Sequence, residues 1–381
     1  MAHCAGQELD LTDGPVGPYG RIMPFGYAFS VGLLAFCTAT AVIGPRPPHT
    51  TPSHWSFWAT FLINEQPFIA IYLLVADSAL ALSEGDLASP GGKAVFAVAV
   101  LTVAGLGILI ARAFQAGKVL SQTGPRNWVH ILVAPLSYRR RDVTIARNIS
   151  YGEAGKQNLL DVYHRRDGRG DGPVLVFFHG GGFRIGSKNR EARSMLSLLA
   201  SQGWVCVNAN YRLAPGAGYP DHHVDAKKVI AWVREHIGEY GGNPRTIIAS
   251  GSSAGGHLAA MLALTPNDPV FQPGFEDADT SVQAAIGFGG YYGRLDGPGS
   301  SPLDRVGEAP PFLFVHGTND SSTLIEDTRE FAAKLRAASS RPVVLAELPG
   351  GQHGFDLYYS LRYSYVVDAV AAFGKTIDRY L

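Results

Sequence analysis

The chain has 381 residues, 32 basic and 32 acidic side chains, and a formal net charge of zero. That balance leaves no global electrostatic footprint for nucleic acid or another polyanionic partner. Three cysteines, Cys4, Cys37 and Cys206, lie far apart without a C-x-x-C pair and suggest neither a disulfide framework nor a zinc site.

Charge is unevenly spread, with most of the uncharged sequence before about residue 115. Phe25 to Gly44 carries no charged side chain and, at about 1.5 Å per residue, spans roughly the 30 Å of a bilayer's hydrocarbon core. It reads as a membrane span rather than a signal peptide, since a basic flank is missing and more apolar sequence follows. Trp55 to Leu82 is apolar with interface-type aromatics, Trp55 and Trp58, but includes Asn64-Glu65-Gln66 and Asp77. A charge at the bilayer centre costs about 2.5–3.5 kcal/mol on insertion scales. The segment is expected to span, with those residues facing a bundle interior; a re-entrant or interfacial segment is the other reading. Ala94 to Ala111 is a further span.

After it come Arg112, Lys118, Arg126 and Arg139-Arg140-Arg141, whereas the N-terminus has Glu8, Asp10, Asp13 and only Arg21. Three spans with this asymmetry put the N-terminus outside and the C-terminal region in the cytoplasm. The expected organisation is a membrane region over 1–115 with two to three transmembrane helices, a juxtamembrane linker or cap over 116–140, and an α/β domain over 141–381.

From Arg141 strands and helices alternate. Strands are predicted over 143–149, 159–163, 174–178, 204–208, 246–250, 282–288, 311–315 and 343–348. Helices are predicted over 191–201, 225–237, 253–264, 324–338 and about 363–380. Strands separated by helices imply a mostly parallel sheet covered on both faces, and two leading strands without a helix imply an antiparallel edge.

Chemistry in such sheets sits at the carboxyl ends of strands. There the chain places Gly251-Ser252-Ser253-Ala254-Gly255, a G-x-S-x-G turn between strand and helix that presents Ser253 as a nucleophile in an α/β-hydrolase fold. The strand at 174–178 ends in His179-Gly180-Gly181-Gly182, whose backbone N–H groups suit an oxyanion. The expected oxyanion hole is Gly181, Gly182 and Ala254. An acid and then a histidine should follow the serine; Asp320 and His353 come just past the next strand ends. His222 and His223 read as solvated loop residues with no metal role. No cofactor and no metal are expected.

Three features resemble the hormone-sensitive-lipase-like branch of α/β-hydrolase esterases: His179-Gly180-Gly181-Gly182, Ser253-Ala254-Gly255-Gly256, and Tyr211-Arg212-Leu213-Ala214-Pro215 with Asp225 downstream. The resemblance covers about residues 141–381 and implies a cofactor-free carboxylesterase acting on a small-molecule ester or lipid, with Ser253, Asp320 and His353 in the family's roles. It implies a structural Arg212–Asp225 pair supporting the oxyanion loop. Ser252 stands where the family often has Asp, and the interval from Ser253 to Asp320 leaves little room for the usual cap. Residues 114–138 are therefore expected near the mouth, with membrane lipids as neighbours. An amidase, a formamidase or a prenylcysteine methylesterase would use the same triad. A non-catalytic ligand-binding member of the fold is the reading from another class.

Overall fold

The structure, a computed structural model, describes residues 24–44, 51–136, 139–168, 172–377 and 379–380. The N-terminal charges, Tyr138 and the Trp55 side chain lie outside the described residues. The apolar third forms α1 (Phe25–Ile43), α2 (Thr51–Glu65), α3 (Pro67–Ser83) and α4 (Pro90–Val119), followed by the short α5 (Trp128–Val133). By length and composition α1 and α4 are each long and apolar enough to cross a membrane, whereas α2 and α3 meet at a bend of 89°.

The bend has a local cause. Pro67 opens α3, where its missing N–H is no loss, and Pro in a helix interior would displace the preceding carbonyl. The expected continuous span over 55–82 is therefore two helices. Nor do Asn64 and Glu65 face the interior of a helical bundle; their partners lie in the sheet domain. Asn64 Nδ2 donates to the Gly350 carbonyl (2.9 Å), and Glu65 pairs with Arg362 and accepts from the Ser360 hydroxyl (2.7 Å). Glu65 and Arg362 are both buried. Removing one partner of a buried pair strands the other charge, so Glu65→Ala is expected to lower stability by about 3–5 kcal/mol. Denaturant unfolding in detergent reads this directly; an unchanged midpoint would show that the pair contributes nothing.

Tyr27, near the start of α1, hydrogen-bonds Ser78, near the end of α3 (2.9 Å), while Arg112 of α4 donates to Val42 at the end of α1 (2.9 Å). So α1 and α4 run in one direction, packed on each other, and α3 runs antiparallel to both. Val31, Leu74, Leu106 and Leu109 form the bundle's interior.

The rest of the chain builds one eight-stranded sheet from β1 (Val143–Ser150), β2 (Leu159–Arg165), β3 (Val174–Phe178), β4 (Val205–Ala209), β5 (Ile247–Ser252), β6 (Ala284–Phe288), β7 (Phe312–Gly317) and β8 (Val343–Leu348). Their order is β1-β2-β4-β3-β5-β6-β7-β8. β2 is antiparallel to β1 and β4, and the remaining pairs are parallel. The helices are α6 (Arg193–Ser201), α7 (Asp221–His236), α8 (Ala254–Leu264), α9 (Ile325–Ala338) and α10 (Leu361–Ile377).

Alternate residues of β3 enter two different cores, as the two-residue period of a strand requires. Leu175 and Phe177 pack with α6, α10 and the last turns of α4; Val174, Val176 and Phe178 pack with α7, α8 and α9. Each fully buried aliphatic side chain contributes about 1.5–3 kcal/mol of transfer free energy. α4 has 30 residues, about 45 Å at 1.5 Å per residue. Its end, through Ala113 and Ala116, enters the core of the sheet domain.

Candidate active site

Ser253 is the single residue between β5 and α8. Its φ is 53° and ψ −114°, a conformation that costs a side-chain-bearing residue about 1–3 kcal/mol. The neighbours hold it there. Ser253 N–H donates to the Phe288 carbonyl (2.9 Å), and its carbonyl accepts from Tyr291 N–H (3.1 Å) and His257 N–H (3.2 Å). A Cβ on Gly255 would lie 1.9 Å from the Phe178 carbonyl oxygen, so the turn can close only on glycine.

The loop after β3 lies alongside. A Cβ on Gly180 would be 3.2 Å from the Ser253 Cβ, and the Gly181 carbonyl is engaged by the N–H groups of Arg184 and Ile185 (both 3.1 Å). Tyr211 stacks on His179 at 4.4 Å and donates its hydroxyl to the His179 carbonyl (2.8 Å). Burial pushes the His179 imidazole down to about 4, which keeps it neutral. Arg212 pairs with Asp225 at 2.9 Å, and Ala214 N–H donates to the Phe183 carbonyl (2.8 Å). The Tyr211–Pro215 segment thus braces the glycine loop. His222 and His223, expected in a solvated loop, instead lie in the first turn of α7 and are buried. His222 stacks on Phe183 at 4.9 Å.

The acid and base candidates meet beside this elbow. Asp320 Oδ2 accepts from His353 Nδ1 at 2.8 Å. Asp320 Oδ1 accepts from Ser322 N–H and Thr323 N–H (2.8 Å each), and Oδ2 also from the Thr323 hydroxyl (3.0 Å). His316 Nε2 lies 3.2 Å from the same carboxylate. Burial alone would raise the Asp320 carboxyl; the facing His353 and His316 outweigh it and hold the group well below the usual range. The strand end that binds Ser253 N–H through Phe288 leads straight to this pair: a Cβ on Gly289 would be 3.1 Å from Asp320 Oδ2 and 3.5 Å from His353 Nδ1. Because Nδ1 is taken by Asp320, Nε2 is the ring nitrogen left for the serine side.

Sequence reading had missed three supports. Gln352 ties the two loops together: its Oε1 accepts from Ser321 N–H and His353 N–H (2.8 Å each), while its Nε2 donates to Thr60 of α2 (3.1 Å). Glu191 accepts from Gly180 N–H (2.6 Å). Asp356 is buried close enough to Ser252 for the serine side chain to stabilise its carboxylate, so an acid approaches the position beside the nucleophile from another loop. Only Gln352, adjacent to His353, carried any local signal.

Burial raises both Glu191 and Asp356, and the Asp356 charge raises Glu191 further. Burial disfavours protonated His353, but Asp320, then Asp356 and Glu191, lift it above its ordinary value. A raised base pKa means that kcat/KM falls as pH drops through that value, because the imidazole must be neutral to take a proton. Glu191→Gln removes one negative charge while keeping an acceptor for Gly180. Its acidic limb is expected to move to lower pH than the wild type's in a pH–rate profile; an unmoved limb would separate Glu191 from the base.

The segment expected near the mouth packs against the loop that follows His353, where Tyr359 N–H donates to the Pro135 carbonyl (3.1 Å). Trp128 meets Phe68 and Phe114, and His130 stacks on Tyr359 at 4.1 Å. The long α4 carries residues 114–136 toward α10. It is α2 that reaches the base, with Phe57 edge-on to His353 at 6.3 Å. Among the described residues no group of three or more His, Cys, Asp or Glu side chains could hold a metal ion.

Sheet order, elbow and loop positions together define a hydrolase-type α/β fold. The BD-FAE family model matches residues 160–293. The chain is 43% identical over 264 residues to the probable carboxylic ester hydrolase LipM of Mycobacterium tuberculosis, covering 61% of each. It is 38% identical over 275 residues to the esterase LipC of the same organism, covering 63% of this chain and 67% of LipC. The butyrate-bound structure of esterase 2 from Thermogutta terrifontis superposes with a TM-score of 0.55 at 26% identity, covering 62% of this chain and 95% of that one. The chain belongs to the esterase family of the α/β-hydrolase fold. The matched region spans about three fifths of the length of LipM and of the esterase LipQ (61% and 63%).

Proposed function

We propose that this protein is a membrane-anchored serine carboxylesterase. Ser253 Oγ attacks the ester carbonyl carbon as His353 Nε2 takes its proton, and Asp320 stabilises the imidazolium. The oxyanion meets N–H groups of Gly181, Gly182 and Ala254, each such donor being worth on the order of 10²–10³ in rate. Collapse expels the alcohol with the proton from His353. Water then attacks the acyl-enzyme through the same histidine, releasing the carboxylic acid and free Ser253.

The observation that carries this reading is the 2.8 Å Asp320–His353 contact beside a serine at φ 53°. It is supported by relatives named as esterases. In this reading residues 1–115 are the membrane region, 116–140 a juxtamembrane linker or cap, and 141–381 the catalytic domain. Three passes by α1, α3 and α4 leave the catalytic domain on the side opposite the N-terminus, and the arginines after α4 make that side cytoplasmic. Protease should cleave the catalytic domain only in inverted vesicles; cleavage from the outer face would reverse the orientation.

The test of activity is a p-nitrophenyl ester panel of varied chain length on the full chain in detergent, with paraoxon as active-site titrant. Hydrolysis abolished by one equivalent of paraoxon is the expected result. Hydrolysis at no chain length, with no paraoxon incorporation, would overturn the esterase reading.

A further inference from the structure

We propose that α2 is an interfacial helix that seats the mouth of the site in the membrane surface, so that the substrate is an ester whose acyl chain is held by the bilayer. This rests on the serine-esterase reading above and adds the substrate class. Helices α1, α3 and α4 run alongside one another, and α2 departs from α3 at 89°. If those three cross the membrane, α2 lies in the plane of its surface.

Its two faces are chemically different. One is pinned to the loops that carry the acid and the base: Thr60 to Gln352, Asn64 to Gly350, and Glu65 to Arg362 and Ser360. The other exposes Trp58 (67%) and Leu62 (48%). That face continues the apolar exterior of α1, where Phe36 (63%) and Ile43 (75%) are exposed. Exposed apolar area of this continuity is covered by lipid once the adjoining helices are in the bilayer.

Between the two faces runs a file of rings. Trp58 meets Phe57 at 5.3 Å and Phe61 at 5.9 Å; Phe61 and Phe57 stack at 5.4 Å; Phe57 meets His353 at 6.3 Å, and Phe61 meets Tyr358 at 6.5 Å. An acyl chain lying on Phe57 and Phe61 moves from the leaflet to the base without passing through water. Each methylene kept out of water contributes about 0.8 kcal/mol, so such a path favours long chains over short ones.

The experiment uses the full chain in phosphatidylcholine vesicles with two esters of one leaving group: water-soluble p-nitrophenyl butyrate and vesicle-partitioned p-nitrophenyl palmitate. The variant is Trp58→Asp with Leu62→Asp, both on the outward face, and paraoxon titration counts correctly folded sites. Per titrated site, kcat/KM for the palmitate is expected to fall about tenfold or more, with the butyrate held within about twofold. Equal losses on both esters would make α2 a purely structural element and overturn the proposal. So would an undiminished palmitate rate.

Should the double variant not titrate, Leu62→Cys carrying a fluorophore gives a second reading. Quenching by lipids spin-labelled near the top of the acyl chain is expected, and its absence, as for a face covered by another protein, would overturn the proposal. A wild type that binds paraoxon and cleaves only butyrate would sink the bilayer-substrate inference alone. A wild type that does neither would remove the esterase reading itself.

Discussion

Alanine at Ser253 is expected to lower turnover roughly 10⁶-fold, the loss seen when a serine nucleophile is removed from a comparable triad. The size follows from the division of labour at the elbow. The Ser253 backbone holds the bonds to Phe288 and Tyr291, so truncating the side chain leaves the strand-to-helix turn intact. What disappears is the covalent route, and with it every later step that His353 and the oxyanion loop serve. Residual hydrolysis of about 10³–10⁴ over water would remain from binding and oxyanion contacts alone. The ester panel measures the fall, and paraoxon should no longer label the protein. Near-normal hydrolysis with Ser253 absent would remove the acyl-enzyme mechanism.

The second large effect is expected at Asp320. Asparagine there should lower kcat by about 10⁴-fold, as the corresponding change does in a serine protease. The carboxylate receives N–H groups from Ser322 and Thr323, the Thr323 hydroxyl, and His353, with His316 also in reach. An amide has one acceptor oxygen where the carboxylate has two. Ser322 and Thr323 hold that oxygen on their side, which turns the NH₂ toward His353 Nδ1. The ring must then carry its proton on Nε2, facing the serine, and cannot act as base. Thermal unfolding should change little by comparison, since most of the loop's hydrogen bonds survive. If the variant lost its fold instead of its kcat, Asp320 would be a structural residue of the β7 loop.

The sheet was legible because its evidence is local. Val174–Phe178 is apolar without interruption, and Val343–Leu348 ends at the Gly350-Gly351 turn, so both strands were bounded from sequence. The elbow and the histidine-glycine run could be read because glycine is forced by close backbone approach, as at Gly255. What failed was tertiary. α7 begins at Asp221 after Pro220, a legitimate start signal, yet the adjacent polar histidines made it look like a loop; they are covered by Phe183, stacked on His222, and Phe271, tilted against His223. Asn64 and Glu65 looked like membrane-interior residues because Arg362, 297 positions along the chain from Glu65, has no sequence signature as its partner. Glu191 and Asp356 were invisible for the same reason.

The ion pair between Glu65 and Arg362 bears on whether the apolar helices can be detached from the sheet domain. In many anchored enzymes the tether and the working domain are separate objects, and cutting between them frees a soluble enzyme. Here the boundary drawn by hydropathy, near residue 115, is not the boundary drawn by contacts. A fragment beginning there would keep Arg362, the Gly350 carbonyl and Gln352 and discard their respective partners Glu65, Asn64 and Thr60. It would carry an uncompensated cation in its interior and a base loop without its outer peg. By these contacts the smallest autonomous unit of the sheet domain includes α2, and hydropathy alone draws its boundary too late in the chain.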